Sequence, residues 1–318
     1  MVLTRTRRPS GPYRALDLLI REHPPKFKGK VPYWRPPVAG LDDVHARIIP
    51  AWSWSRRVSD LDGERVLQLD ANAAYLSAIM TVEVSHGPLG GSSRQFDPRI
   101  PGYWLVDAHS WKLSDRIMSP LGMARTTDRV WLTTPTVQLL QQLSDQGVWP
   151  GVRVYGAFIG SSACRLRGWA SRIASDRSFA MQAGDDSRVA EIKLGYSQAV
   201  TLLGTDKKSD AFRPDWADFI RAQHAATIWR KAWGMEHCNL GWLLRSGAVD
   251  ELIYPETAIR TLLDRAARGD RVPLTIDPSG RTLGSFKIKG QWSTKSFTRT
   301  RGGQSAAAAP VSRETETT

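Results

Sequence analysis

Two carboxylates far apart in the chain carry the chemistry that this sequence could do. The stretch "RVLQLDANAAYLSA" opens as an apolar strand and stops on Asp70, with Tyr75 and Ser77 close behind. Asp250 lies in a second strand-rich stretch, "WLLRSGAVDELIYPE". Two carboxylates at the ends or bends of adjacent strands can hold two divalent cations about 3.5–4 Å apart, a clamp for the attacking and leaving oxygens of a phosphoryl group. Magnesium needs only one or two protein carboxylates, because substrate phosphates supply the remaining oxygens. A basic helix beside the pair, here the one carrying Lys193, would neutralise a triphosphate. A plainer reading stands beside this one: Asp70 caps a helix beginning at Ala71, and Tyr75 fills core.

The composition sets the frame for that chemistry. The 318 residues hold 44 Lys+Arg against 31 Asp+Glu, a net charge of +13. Such an excess favours a polyanionic partner. Thirteen tryptophans among the basic residues suit stacking on bases, although most Trp side chains serve a core. No run of 18 apolar residues is present, so no spanning helix and no membrane partner are expected. "MVLTRTRRPSGPYR" has basic residues but no apolar segment after them, which is not a secretory signal. Two cysteines, Cys164 and Cys238, make neither a disulfide framework nor a zinc site of the usual spacing, and a reducing cytoplasm is expected. No histidine pair has metal-ligand spacing on a helix.

The elements that must position the carboxylates read as follows. Residues 1–60 are basic and Pro-punctuated, and "HPPKFKGKVPYWRPP" predicts an extended arm over a surface or a nucleic acid. "GYWLVDAHSW" predicts a strand, as does "GVRVYGAFIG". "VWLTTPTVQLLQQLSDQG" begins as a strand and predicts a helix from a Thr134 cap and Pro135, closed by Gly147. "HGPLGGSSR" lacks the Lys-Ser/Thr ending of a phosphate loop and reads as a flexible turn. Helices are expected over Leu166–Met181, Ser187–Gly204, and a longer segment in which Trp216, Phe219, Ile220, Ile228 and Trp229 fall at helical spacing. Asp185-Asp186 reads as a solvated turn between two of them. Ser246-Gly247 predicts a tight turn between two short strands. A helix over "ETAIRTLLDRAARG", a last strand over "TLGSFKIKGQW" and a low-complexity tail complete the chain.

In this order the motifs resemble those of family B DNA polymerases. "LDANAAYLSA" looks like the first palm motif, with Asp70, Asn72, Tyr75 and Ser77 in place. "EIKLGYSQAVTLLG" is similar to the fingers motif, "RAQHAATIWRK" to the palm helix before the last catalytic strand, and "GAVDELIY" to the Asp-Thr-Asp hairpin. "LGSFKIKG" resembles the strand after that hairpin, which ends in a lysine near the primer terminus. Two departures matter. Ala248 stands where the family has its first hairpin aspartate, and the fingers tyrosine is displaced to Tyr196. Only about 60 residues precede the first motif here, so no proofreading exonuclease domain is expected in this sequence.

The resemblance implies an α+β fold: a polymerase-like palm whose antiparallel sheet carries the acidic site, with helical fingers. The expected organisation is a basic N-terminal arm over 1–60, a first palm segment with an insertion over 61–160, fingers over 161–205, a second palm segment over 206–292 and a disordered tail over 293–318. It implies Asp70, Asp250 and Lys193 as catalytic residues, with Asp70, Asp250 and Glu251 for Mg2+ or Mn2+. Tyr75, Lys193 and Tyr196 would meet the nucleotide, and Tyr75 would select deoxynucleotides by blocking a 2′-hydroxyl. Lys287, Lys289, Arg56, Arg57, Lys26, Lys28 and Lys30 would meet nucleic acid. The implied partners are DNA, as primer-template or terminus, deoxynucleoside triphosphates, and replication proteins of a mobile element, plasmid or phage. Two functions stay open: a compact metal-dependent DNA-directed nucleotidyltransferase, and a decayed palm that binds DNA as a replication-accessory, terminus-binding or regulatory protein.

Overall fold

A computed structural model describes residues 12–22, 54–56, 65–122, 129–208, 211–247 and 250–293. Among them are seven helices and eleven strands. In chain order these are α1 (Pro12–Glu22), β1 (Trp54–Ser55), β2 (Arg65–Ala71), α2 (Ala74–Thr81), β3 (Glu83–Ser85), β4 (Leu89–Gly91), β5 (Gly102–Asp107), β6 (Arg129–Thr133), α3 (Thr134–Asp145), β7 (Val154–Gly160) and β8 (Ala163–Arg165). There follow α4 (Arg167–Gln182), α5 (Asp186–Thr205), α6 (Pro214–His237), β9 (Arg245–Gly247), β10 (Glu251–Pro255), α7 (Glu256–Ala267) and β11 (Phe286–Ser293). The fold is mixed α and β, and its strand ladders are antiparallel.

The central sheet has the order β1-β9-β10-β2-β11. Strand β2 alternates. Leu67, Leu69 and Ala71 face one side and share a core with Leu252 and Tyr254 of β10, Phe286 of β11, and Ala225, Ile228, Trp229 and Ala232 of α6. Val66, Gln68 and Asp70 face the other side. A second sheet, β4-β7-β5-β6, joins the same core through Trp104, Val106, Val130 and Leu132, with α3 packed on it. Trp229 Nε1 donates to the Met118 carbonyl at 3.0 Å, tying α6 to the segment between β5 and β6.

The N-terminal half of α6 serves another core. Trp216, Phe219 and Ile220 pack with Leu76 and Ile79 of α2, Trp169 and Ile173 of α4, and Ala199, Val200 and Leu203 of α5. Helix α6 therefore serves two cores, and a strip that includes Gln223, Thr227, Arg230 and Lys231 stays partly exposed. Its start is fixed by a buried ion pair: Arg213 bonds Asp215 through Nε at 3.0 Å and Nη2 at 2.6 Å. The same Nη2 donates to the Ser85 carbonyl at 2.7 Å.

Residues 12–22, for which no element was expected, form α1, which packs on α5 and α4, with Leu19 buried and Trp169 Nε1 donating to the Ala15 carbonyl at 3.2 Å. The segment "HPPKFKGKVPYWRPP", expected to be extended, lies outside the described residues, as does the tail after Ser293. Three local expectations change. Thr134 is no cap. It is the first helical residue, with Thr133 as N-cap, and its hydroxyl accepts from Gly102 N and Trp104 Nε1, each at 2.9 Å. "HGPLGGSSR" contains β4, because β7 offers a partner edge. Ser246 and Gly247 sit inside β9, paired with Leu252 and Glu251. The connection runs through 248–250, of which 248 and 249 lie outside the described residues. The remaining helix and strand expectations match the elements above to within a few residues, and Gly147 does close α3, at a φ of 71°. Asp185 is the N-cap of α5, accepting from Arg188 N at 2.9 Å.

Candidate functional site

The central sheet brings the two sequence-distant carboxylates to one place. Asp70 is next to last in β2, with Glu251 of β10 directly across on one side and Lys287 of β11 on the other. Directly opposed residues of an antiparallel pair share a face, so all three lie on the face away from α6. Asp250 immediately precedes β10, and its carbonyl accepts from Ala71 N at 3.1 Å. The two acids therefore stand at the same level of adjacent strands. Asp70 is not a helix cap. It is a strand residue, and α2 starts at Ala74 with Ala73 as its N-cap.

The electrostatics register the proximity. The Asp250 carboxyl is held above the usual carboxylate range, first by burial and then by the negative charge of Asp70; Lys289 and Lys193 oppose the shift. The charge of Lys193 on α5 thus acts on Asp250, and Asp250 acts on Tyr196 of the same helix. The Tyr196 hydroxyl is pushed up to about 12 by burial, with Arg177 opposing and Asp250 adding to the shift. Asp70 carries two ammonium partners: Lys289 Nζ at 3.4 Å from Oδ1 and Lys287 Nζ at 3.8 Å from Oδ2. Glu251 leans the other way, and its Oε1 stands 3.0 Å from where a Cβ on Gly247 would be. Among the described residues, no three His, Cys, Asp or Glu side chains gather into a metal-binding group. The hard oxygens of Asp70 and Asp250 nevertheless suit magnesium, which takes most of its oxygens from water and phosphate.

A clasp behind the acids holds this corner rigid. Asn72 donates from its backbone to the Ser285 carbonyl at 2.7 Å and accepts from Gly284 N at 2.9 Å. Its side-chain amide donates to Ser285 Oγ at 2.9 Å and to the Asp277 carbonyl at 3.2 Å. Pinned so, the chain turns into α2 through Ala73 at a φ of 47°, a left-handed conformation that costs a non-glycine residue about 1 kcal/mol or more. Gly284, at a φ of 72°, has no room for a side chain: a Cβ there would come within 2.5 Å of Ser77 Oγ. Its carbonyl accepts from Lys231 Nζ, a lysine whose pKa burial lowers. Asp277 closes the turn by accepting from Ser279 N at 3.0 Å and Thr282 N at 2.7 Å.

Tyr75 is half-buried at the start of α2. Its ring meets His224 of α6 edge to face, centroids 5.3 Å apart. His224 is buried, and desolvation, with Lys231 adding, lowers its pKa to about 4. Beside it a small pocket is lined by Ala71, Ala74, Ser77, His224, Thr227 and Gly284.

Asp70, Asp250, Lys193, Tyr196, Lys287 and Lys289 are thus brought together, with Tyr75 on the flank of the same turn. Arg56 is not there. It donates to the Arg116 carbonyl at 2.6 Å and the Leu243 carbonyl at 3.2 Å, and it pairs with the buried Glu236 at 3.5 Å. Lys26, Lys28, Lys30 and Arg57 lie outside the described residues. Arg177 was not anticipated. Buried on α4, it donates to the Gly280 carbonyl at 2.7 Å and faces Tyr196. The sequence held a signal for it: Arg177 stands in the apolar stripe of Trp169, Ile173 and Ala180, where a cation needs a fixed partner.

No family model and no curated protein matches the sequence. Solved structures do match its fold. Phi29 DNA polymerase complexed with primer-template DNA and incoming nucleotide substrates aligns with a TM-score of 0.52 at 10% identity. The same enzyme in an orthorhombic crystal form aligns at 0.56 and 12%, and its complex with single-stranded DNA at 0.55 and 12%. These alignments cover 88–90% of this chain and 52% of the polymerase, so the chain spans about half the polymerase's length. At such identity the likeness concerns fold alone: a polymerase-like arrangement.

Proposed function

We propose that this chain is a compact, metal-dependent, DNA-directed nucleotidyltransferase whose acidic site is Asp70 and Asp250. One observation carries the reading. Two carboxylates from distant segments stand at one end of adjacent antiparallel strands, joined by the Ala71–Asp250 backbone bond, and the charge of Asp70 helps to raise the Asp250 pKa. The polymerase-like fold and the net charge of +13 point the same way. In this reading β2, β10 and β11 form the palm and α4 and α5 the fingers. Asp70 and Asp250 would hold magnesium or manganese, which polarises the phosphoryl group and steadies the entering and leaving oxygens. Lys193 would meet the triphosphate of a deoxynucleotide, and the buried Tyr196 and Arg177 would keep α5 and α4 in register with the acids. Tyr75, braced on His224, would face the sugar. Lys287 and Lys289, exposed on the edge strand, would meet the DNA backbone. Replication of a mobile element, plasmid or phage is the setting that the motif order suggests.

Primer extension on a short template tests this, with magnesium or manganese and with Asp70→Asn and Asp250→Asn beside the wild type. Extension by the wild type, lost in both variants while DNA binding persists, supports the reading. A second reading has its own support: lysines already neutralise Asp70, which fits a DNA-binding accessory that no longer catalyses. No extension by the wild type with either metal, with DNA binding retained, would decide for it.

A further inference from the structure

Both carboxylate oxygens of Asp70 face an ammonium group, Lys289 at Oδ1 and Lys287 at Oδ2. Lys287 stands directly opposite Asp70 in the β2–β11 ladder, and Lys289 follows at a break in it. Lys287 pairs with Asp70 and Ile288 with Leu69, but the next partner of β2, Gln68, pairs with Gly290. Lys289 is the extra residue of a bulge. In an unbroken ladder it would stand opposite Gln68; the bulge instead turns it toward the strand end, a common use of bulges beside functional sites. The exposure is asymmetric. The Asp70 side chain is 11% exposed, whereas those of Lys287 and Lys289 are 44% and 54% exposed. Approach to Asp70 therefore passes the two lysines, whose heads are free to swing into solvent.

A divalent cation at Asp70 would have two ammonium groups as close neighbours, and the like charges oppose one another. At about 4 Å, like charges repel by about 1 kcal/mol even in bulk water and by several times that near a protein surface. A solvent-facing lysine–carboxylate pair is itself worth only about 0–1 kcal/mol. The lysines therefore leave readily once another anion takes them, and on a chain of net charge +13 that anion is the phosphate backbone of nucleic acid.

We propose that Lys287 and Lys289 are a built-in counter-ion for Asp70, which weakens divalent-cation binding until nucleic-acid phosphates claim the lysines. DNA and metal then bind with positive coupling, and by linkage each strengthens the other by the same factor. This rests on the proposed role of Asp70 as a metal ligand.

The test is Mn2+ binding to the full chain, followed by the loss of the free-ion electron paramagnetic resonance signal. It is run with and without saturating short duplex DNA, with Mn2+ uptake by the DNA alone subtracted. Wild type without DNA should bind Mn2+ at least tenfold more weakly than wild type with DNA. The Lys287→Ala/Lys289→Ala variant should bind without DNA about as tightly as the wild-type complex, and DNA should then add nothing. Lys289→Ala alone should gain more affinity than Lys193→Ala, because Lys193 makes no ion pair with Asp70 within 4 Å among the described residues; equal gains would mean a general field effect and overturn the proposal. So would Mn2+ binding that depends on Asp70 but is indifferent to the lysines and to DNA, and that outcome leaves the proposed function standing. If Asp70→Asn leaves Mn2+ binding of the DNA complex unchanged, Asp70 is no ligand and both readings fall.

Discussion

The amide of Ala71 donates to the carbonyl of Asp250 at 3.1 Å, and this bond locks the residue after one acid to the backbone of the other. The spacing of the two carboxylates is therefore a property of the sheet rather than of flexible side chains. Replacing either side chain leaves the bond in place.

Asp250 is expected to cost the free protein stability. Its pKa is raised by burial and by Asp70, so the folded state holds a proton there more tightly than the unfolded chain does. Above that raised pKa the ionised carboxylate opposes folding; below the ordinary value of 3.8 the penalty is gone. Asp250→Asn should melt higher than the wild type near pH 7, and the advantage should fade as the pH falls through the raised pKa toward 3.8. A variant that melts lower at neutral pH would show that Asp250 is held by a partner instead.

Tyr75 and Lys193 separate two contributions to nucleotide use. Tyr75→Ala should admit ribonucleotides while leaving deoxynucleotide incorporation within about tenfold, because the ring acts by excluding a hydroxyl. Lys193→Ala should raise the KM for the triphosphate and lower kcat together, since its charge meets both bound and reacting phosphates. Single-nucleotide insertion kinetics with matched ribo- and deoxynucleotides reads both.

His224 gives an acid-sensitive term. Its folded pKa of about 4 lies below the ordinary 6.5, so between those values the unfolded chain takes up a proton that the folded chain refuses. Stability is full above pH 6.5 and falls as the pH drops toward 4, by about 2 kcal/mol between pH 7 and pH 5 from this residue. Denaturant titrations at the two pH values should show the loss, and His224→Gln should remove most of it. The faces packed on the imidazole, the Tyr75 ring and the Lys231 ammonium, supply no anion to hold the charged form.

The Arg213–Asp215 pair is the structural counterpart. Both side chains are buried, and Arg213 also stacks 4.2 Å from the Trp216 ring. Arg213→Met strands a buried carboxylate and should cost about 3–5 kcal/mol. Adding Asp215→Leu should restore much of that, because the second change removes the stranded charge. Urea unfolding of the two single variants and the double variant measures the coupling.

Binding of duplex DNA should weaken steeply with salt, by about three orders of magnitude or more between 50 and 200 mM if about 6–10 phosphates are neutralised. Lys287→Ala/Lys289→Ala should flatten the log–log slope by about 2. Arg56→Ala should lower the melting temperature, given its ties to Glu236, Leu243 and Arg116. Fluorescence anisotropy across a salt series, with thermal melts alongside, distinguishes the two kinds of cation.

Local pattern alone determined much of this protein. The apolar run ending at Asp70, the Thr-Pro start and Gly147 close of α3, and the helical spacing in α6 are written in neighbouring residues. A backbone answers first to such local preferences. The order of motifs was legible for the same reason, and it drew Asp70, Lys193 and Asp250 into one hypothesis. Tertiary structure decided what needs a distant partner. Whether Asp70 capped a helix or ended a strand depended on Glu251 and Lys287 across the ladder. Leu89–Gly91 became strand because β7 had a free edge, and residues 12–22 became helix because α4 and α5 offered a surface for Leu19. Ser246 and Gly247 have turn chemistry, yet pairing with β10 holds them in a strand. The ion pairs of Asp70 depend on the register of β11 against β2, and no local propensity encodes a register. Strand pairing joins residues far apart in the chain, and its energy lies in the pairing rather than in either strand.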